Sequence, residues 1–142
     1  MFIKENGAPP ITVHYKKVGW HYIAYSDKDF KNQTLTDEER ESFSKVVIQM
    51  KQLTWGLYNE LQEGASEPDD EGNQKFIYRK YKEQRLVKLM LSWDATTLND
   101  KGEAVPVPIT EESIKSLAPE IAETILNVYE DMMYLTEEEE KK

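Results

Sequence analysis

Residues 42–64, SFSKVVIQMKQLTWGLYNELQEG, choose between two architectures. Phe43, Val46, Val47 and Met50 recur at helical spacing, and Thr36 with Glu39 forms a capping box just upstream, which favours a helix through this stretch. Against it, KVVIQM at 45–50 is a β-branched run. Read as a strand, that run leads through Leu53 and Thr54 into a separate helix at WGLYNELQEG, residues 55–64. Periodicity leaves both readings of 43–50 open.

N-terminal to this stretch the pattern is extended. Ile11, Val13 and Tyr15 alternate with Thr12, His14 and Lys16, and WHYIAY follows Gly19, so residues 11–30 read as a hairpin or two short strands. On the other side, GASEPDDEGN at 64–73 combines a proline, two glycines and four carboxylates, the composition of a solvated, mobile loop. Residues 74–93 read as one helix, whose second half is apolar all round and should be buried. DATTLNDKGEAVPVP at 94–108 reads as a long loop with a turn at 99–102, because Pro106 and Pro108 bar regular helix. Thr110 is an N-cap for a short acidic-fronted helix, and Pro119 opens the next one. There Ile121, Ile125, Val128 and Met132 form one apolar stripe beside Ala122, Leu126, Tyr129 and Met133, a face broad enough for more than one packing partner. The expected fold is α+β, mainly α-helical with a small N-terminal β hairpin or sheet. It occupies a single domain over 1–136, followed by a charged flexible tail at 137–142.

Composition narrows the function. The chain has 142 residues, with 18 basic against 27 acidic side chains and a formal net charge of −9. That balance repels nucleic acid and anionic lipid. It holds no cysteine, no stretch resembling a signal peptide and no apolar run of membrane-spanning length, so a soluble cytoplasmic protein is the default expectation. His14 and His21 have no third ligand or nucleophile placed by local spacing, and they read as ordinary strand residues. Asp94, Asn99, Asp100 and Glu103 lack the ligand alternation of a calcium loop. No phosphate-binding glycine loop and no nucleophile–base arrangement occurs. The expectation is therefore a non-enzymatic protein with no catalytic residues, no metal and no cofactor.

One segment stands out electrostatically. Lys75, Arg79, Lys80, Lys82, Arg85 and Lys88 are six cations against one acid, Glu83, whereas residues 60–72 hold six acids and no base. Opposite charge is thus available within the chain, on a second copy or on an acidic partner, and Arg79, Lys82 and Arg85 are candidate electrostatic contacts. Salt-dependent binding of single-stranded nucleic acid is the weaker alternative for the same residues.

The order VVIQMKQLTWGLYNELQE, an acidic variable loop, a helix ending LMLSWDA, the turn NDKGEAVPV and then ITEESIKSLAPEIAETILNVYE resembles the tail assembly chaperones of long-tailed, siphovirus-type bacteriophages. The resemblance covers about residues 43–130; its most specific pieces are 53–56 (LTWG), the Trp93–Asp94 pair and Gly102 followed by Pro106 or Pro108. It implies a chaperone that binds and solubilises the helical tape-measure protein during virion assembly. Such a chaperone acts in the cytoplasm of the infected bacterial host, self-associates in some settings and is absent from the mature virion. Under that reading Trp93, Ile121, Ile125, Met132 and Met133 are the candidate partner-binding residues, methionine being suited to varied partner shapes. The alternatives are a phage structural subunit of the head–tail or tail-tube kind, or a small host-directed regulatory binding protein.

Overall fold

The computed structural model describes residues 7–140, with backbone alone for 133–140. It settles 42–64 as strand and then helix. β3 (Ser44–Met50) buries Val46, Ile48 and Met50 and turns Lys45, Val47 and Gln49 to the opposite face, a period of two. α3 (Trp55–Gly64) follows, with the Thr54 hydroxyl accepting from the Leu57 amide as its N-cap.

The helical alternative fails for a local reason. The capping box at Thr36 and Glu39 does form, but it starts only α2 (Asp37–Glu41), five residues with nothing buried. A cap satisfies amide groups at a helix start; it supplies no apolar face to extend along. Preceding it are β1 (Ile11–Val18), β2 (His21–Ser26) and α1 (Asp27–Asn32). The Arg40 guanidinium donates to the carbonyls of Phe30 and Gln33 at 2.9 and 2.7 Å, tying the end of α1 to α2.

Beyond α3 come β4 (Ser66–Pro68), β5 (Gln74–Phe76), α4 (Tyr78–Leu89), β6 (Met90–Trp93), β7 (Thr96–Leu98) and β8 (Ala104–Pro106). The chain closes with α5 (Glu111–Lys115) and α6 (Pro119–Glu140). The main sheet is antiparallel, in the order β2-β1-β3-β6. Two small hairpins, β4-β5 and β7-β8, stand apart from it.

This corrects the expectation of a mainly helical protein. The chain is 41% helical and 31% strand, a mixed α+β fold. Three segments account for the difference. Residues 44–50 form β3, one of the sheet's two interior strands. The helix expected over 74–93 spans only Tyr78–Leu89: Gln74–Phe76 pairs with β4, and Met90–Trp93 pairs with β3 through Ile48↔Trp93. The two presumed loops are hairpins. Asp69 accepts from the amides of Glu71 and Asn73 in the first, while Asn99 accepts from those of Lys101 and Glu103 in the second, so turn residues organise pairing rather than open loop.

α6 lies across β1 and β2, and its buried Ile121, Ile125, Leu126 and Tyr129 join Ile11, Val13, Val46, Ile48 and Met50 in one core. The Tyr129 hydroxyl donates to the Lys51 carbonyl at 2.9 Å, which removes the cost of burying it. α4 packs on α3, α5 and α6. The flexible tail expected at 137–142 falls partly on residues 141–142, outside the described residues; α6 itself runs to Glu140.

The opposite face of the sheet carries an aromatic cluster. His14 stacks on Phe30 with ring centroids 4.1 Å apart, and Phe30 meets Phe43 edge-on at 5.1 Å. His14 Nε2 donates to Asp27 Oδ1 at 2.9 Å, and Lys31 lies 3.1 Å from the other carboxylate oxygen. Hydrogen bonds from His14 and then Lys31 hold the Asp27 carboxyl below its ordinary range. A folded-state value below the unfolded one favours folding above the unfolded carboxyl pKa, and that contribution disappears as pH falls through the folded value. Asp27→Asn should therefore flatten the acid limb of a stability–pH profile near pH 4 and below while removing under about 1 kcal/mol at neutral pH, since Asp27 is half exposed. Urea titrations at neutral and acidic pH check this.

Candidate functional site

The β1–β2 connection is two residues long, Val18 facing His21 across it. Gly19 takes φ of 65°, and among the described residues no non-glycine residue has positive φ, so Trp20 does not, which is the type II′ hairpin pattern. This turn projects Trp20 into solvent, 99% exposed. Register places Tyr15, Ala24 and Tyr22 on the core-facing side of the sheet, where they pack at the margin of the core, with the Tyr15 and Tyr22 rings 6.2 Å apart.

Opposite these rings is the α5–α6 junction. Thr110 caps α5 with a reciprocal hydrogen-bonded box through Ser113, and the chain turns at 116–118 into α6 at Pro119. The result is a groove of about 650 Å3 with Tyr15, Trp20 and Tyr22 along one wall and Leu117, Pro119 and Ile121 along the other. Glu120 sits at its rim, where a carboxylate suits the positive end of α6. The concavity is open, has an aromatic lip and is lined by both apolar and polar groups, Ser116 and Glu120 among the latter.

The residues singled out by sequence are spread over the molecule. Ile121 is buried but lines this groove. Ile125 is fully buried under the sheet and reaches no surface. Trp93 is half-buried against the core, its indole N–H donating to the Val107 carbonyl at 2.7 Å. Met132 is half-buried and packs on the core, while the side chain of Met133 lies outside the described residues.

Of the three cations, Lys82 pairs with Glu123 at 2.7 Å and Arg85 with Glu130 at 2.8 Å. The Glu123 hydrogen bond raises the Lys82 pKa. Arg85 is buried between the rings of Tyr81 and Tyr129, 5.3 and 5.4 Å from their centres. Arg79 is exposed and makes no ion pair among the described residues. The internal acids thus take up much of the basic segment. Lys80 bridges Glu67, and Lys88 lies 3.9 Å from Glu60.

Sequence reasoning passed over Trp20, Tyr15 and Tyr22 as partner residues. The available signal was a glycine followed by tryptophan between two alternating runs, which predicts an aromatic at a hairpin tip. That Tyr15 and Tyr22 would face an open groove depended on where α6 ends on the sheet. Among the described residues no cluster of three or more histidine, cysteine or acidic side chains is arranged to hold a metal ion, and no helix is long and apolar enough to cross a membrane.

Fold and groove together define an α+β protein with an open concavity on one side of an antiparallel sheet. No protein-family model, curated protein or solved structure matches the chain.

Proposed function

We propose that this protein is a non-enzymatic polypeptide-binding chaperone of the phage tail-assembly kind, which holds a helical tape-measure protein in solution through the groove between its β1–β2 hairpin and the start of α6. The observation that carries the reading is Trp20. A tryptophan left 99% exposed at a rigid two-residue turn, at the mouth of a groove with two tyrosines, has the makings of a binding anchor. The groove suits the apolar stripe of an amphipathic helix, and the net charge of −9 disfavours aggregation of a chaperone-covered polypeptide. The sequence resemblance over 43–130 supplies the partner. Its cellular setting, the cytoplasm of an infected bacterium with release before the virion matures, belongs to the same proposal.

The test is co-expression with the longest helix-rich product encoded nearby in the same genome, followed by co-purification and mass determination. Rescue of an otherwise insoluble chain into a multi-copy complex is expected. Trp20→Ala should weaken that complex by about thirtyfold, roughly 2 kcal/mol for loss of a central aromatic anchor, without altering the fold. No rescue, together with a ring of fixed stoichiometry formed by this protein alone, would replace the chaperone reading with that of a structural subunit.

A further inference from the structure

β2 is one of the two edges of the main sheet, and among the described residues no strand pairs with its outer side. An open edge presents unpaired amide and carbonyl groups, and folded proteins guard such edges with short strands, bulges, lysines or prolines. The other edge is guarded. β6 has four residues, its register with β3 shifts between Gln49 and Met50, and Asp94 follows at once, its carboxylate accepting from the Val47 amide at 2.7 Å. β2 has none of these devices. It runs for six residues in unbroken register with β1 and contains no lysine, arginine, acid or proline. The two-residue turn makes Val18 and His21 a hydrogen-bonded pair, so alternation points the backbone groups of Tyr22, Ala24 and Ser26 outward.

Beneath this edge lies α6, which packs more closely on β2 than on β1. Glu123 and Glu130 pair with Lys82 and Arg85 and mark the flank of α6 turned to α4. At about 100° per residue, Thr124 and Val128 fall on the opposite flank, beyond β2, and both are half-buried. We propose that β2 pairs antiparallel with β2 of a second copy of this chain, about a two-fold axis normal to the sheet, so that the four strands of each copy form one continuous sheet. Paired strands lie about 4.8 Å apart, and two helices that each run under their own edge strand then come within about the 8–10 Å of packed helices, covering Thr124 and Val128. This selects a second copy over an unrelated extended segment, because only a copy brings a helix for the flank together with a strand for the edge. A strand free of acids also lets two chains of net charge −9 meet without opposing carboxylates along the ladder. The interface does not use the Trp20 groove, so it stands apart from the chaperone reading, and a closed dimer differs from the ring that would replace that reading.

Sedimentation of the full chain over a range of concentrations, combined with amide hydrogen exchange, tests this. A monomer–dimer equilibrium is expected, strengthened by salt because both copies carry charge of the same sign. The amides of Tyr22 and Ala24 should exchange more slowly as the dimer forms. Ile23→Glu, on the sheet face away from α6 and opposite Lys16 of β1, and Thr124→Glu, on the helix flank, should each weaken the dimer by about tenfold or more while leaving secondary structure and cooperative unfolding intact. A monomer at every concentration, a closed ring of more than two copies, protection confined to residues outside β2 and α6, or folded variants that dimerise as the unaltered protein does would each overturn the proposal. So would a monomer whose Tyr22 and Ala24 amides are protected only when a co-expressed polypeptide is bound.

Discussion

Truncation of Ile125 to alanine is expected to destabilise the protein by about 3–4 kcal/mol, lowering the thermal midpoint by roughly 10 °C. Ile125 is completely excluded from solvent, on the α6 face that packs across β1 and β2, in the cluster that contains Val13, Ile48 and Tyr129. Removing three carbons there loses their transfer free energy and leaves a cavity that sheet and helix can close only in part. Ile125→Val should cost about 1 kcal/mol, because it removes a single methyl group. Urea denaturation provides the measurement, with the midpoint moving and the slope unchanged. A loss below 1 kcal/mol for the alanine variant would show that this face of α6 is not core and is open to a partner. The result therefore bears on where the partner surface lies as well as on stability.

Replacement of Glu130 by glutamine should cost about 2–3 kcal/mol, and adding Arg85→Met to it should recover at least half of that loss. The reason lies in the unequal positions of the two partners. The Arg85 side chain is only 6% exposed and pairs at 2.8 Å with Glu130, whose side chain is 35% exposed. Losing the carboxylate takes the Glu130 charge away from a guanidinium held in surroundings of low polarizability, which weakens the compensation of a buried charge. Partial solvent access at Glu130 places the expected loss below the usual range for fully buried pairs. Burial is the main cause that pushes the phenols of both Tyr81 and Tyr129 above their ordinary pKa, so both rings stay neutral around the guanidinium. Methionine at 85 would keep much of the packing between these rings while removing the charge that needs a partner. If the double variant were no more stable than Glu130→Gln alone, the cost would come from lost packing at residue 130 and not from a stranded charge.

Much of the local structure was legible because it follows from short-range chemistry. Gly19 separates two extended runs, Thr110 marks a helix start, Pro119 opens the next helix, and residues 99–102 mark a turn. Each depends on hydrogen bonds or dihedral angles within a few residues. The errors arose where a segment's state depends on a distant neighbour. Met90–Trp93 continues an apolar helix pattern in sequence, yet it becomes strand because β3 offers an unpaired edge. Residues 66–68 and 74–76 are polar and turn-rich, and they pair because their turn brings them together.

The candidate site divides in the same way. Charge asymmetry in the sequence left open whether the basic segment meets acids within the chain, on a second copy or on a partner; Lys82–Glu123, Arg85–Glu130 and Lys80–Glu67 are pairs within the chain. That Lys75 and Arg79 would be the cations without an ion pair among the described residues could not be read, because pairing depends on how whole elements pack. The apolar stripe of α6 was equally visible as a stripe. Only packing decides that Ile125 is sealed beneath the sheet while Ile121, one turn earlier, borders an open groove.

By itself, the sequence indicated extended structure on either side of Gly19, the starts of α5 at Thr110 and of α6 at Pro119, the acidic net charge and the amphipathic character of α6, all through patterns that span at most a few turns. The tertiary structure decided that residues 44–50 are an interior strand, that Trp20 faces a groove and that Arg79 is left without a carboxylate. These depend on contacts between residues tens of positions apart, where burial and charge pairing are settled by the arrangement of whole elements and no local pattern encodes the outcome.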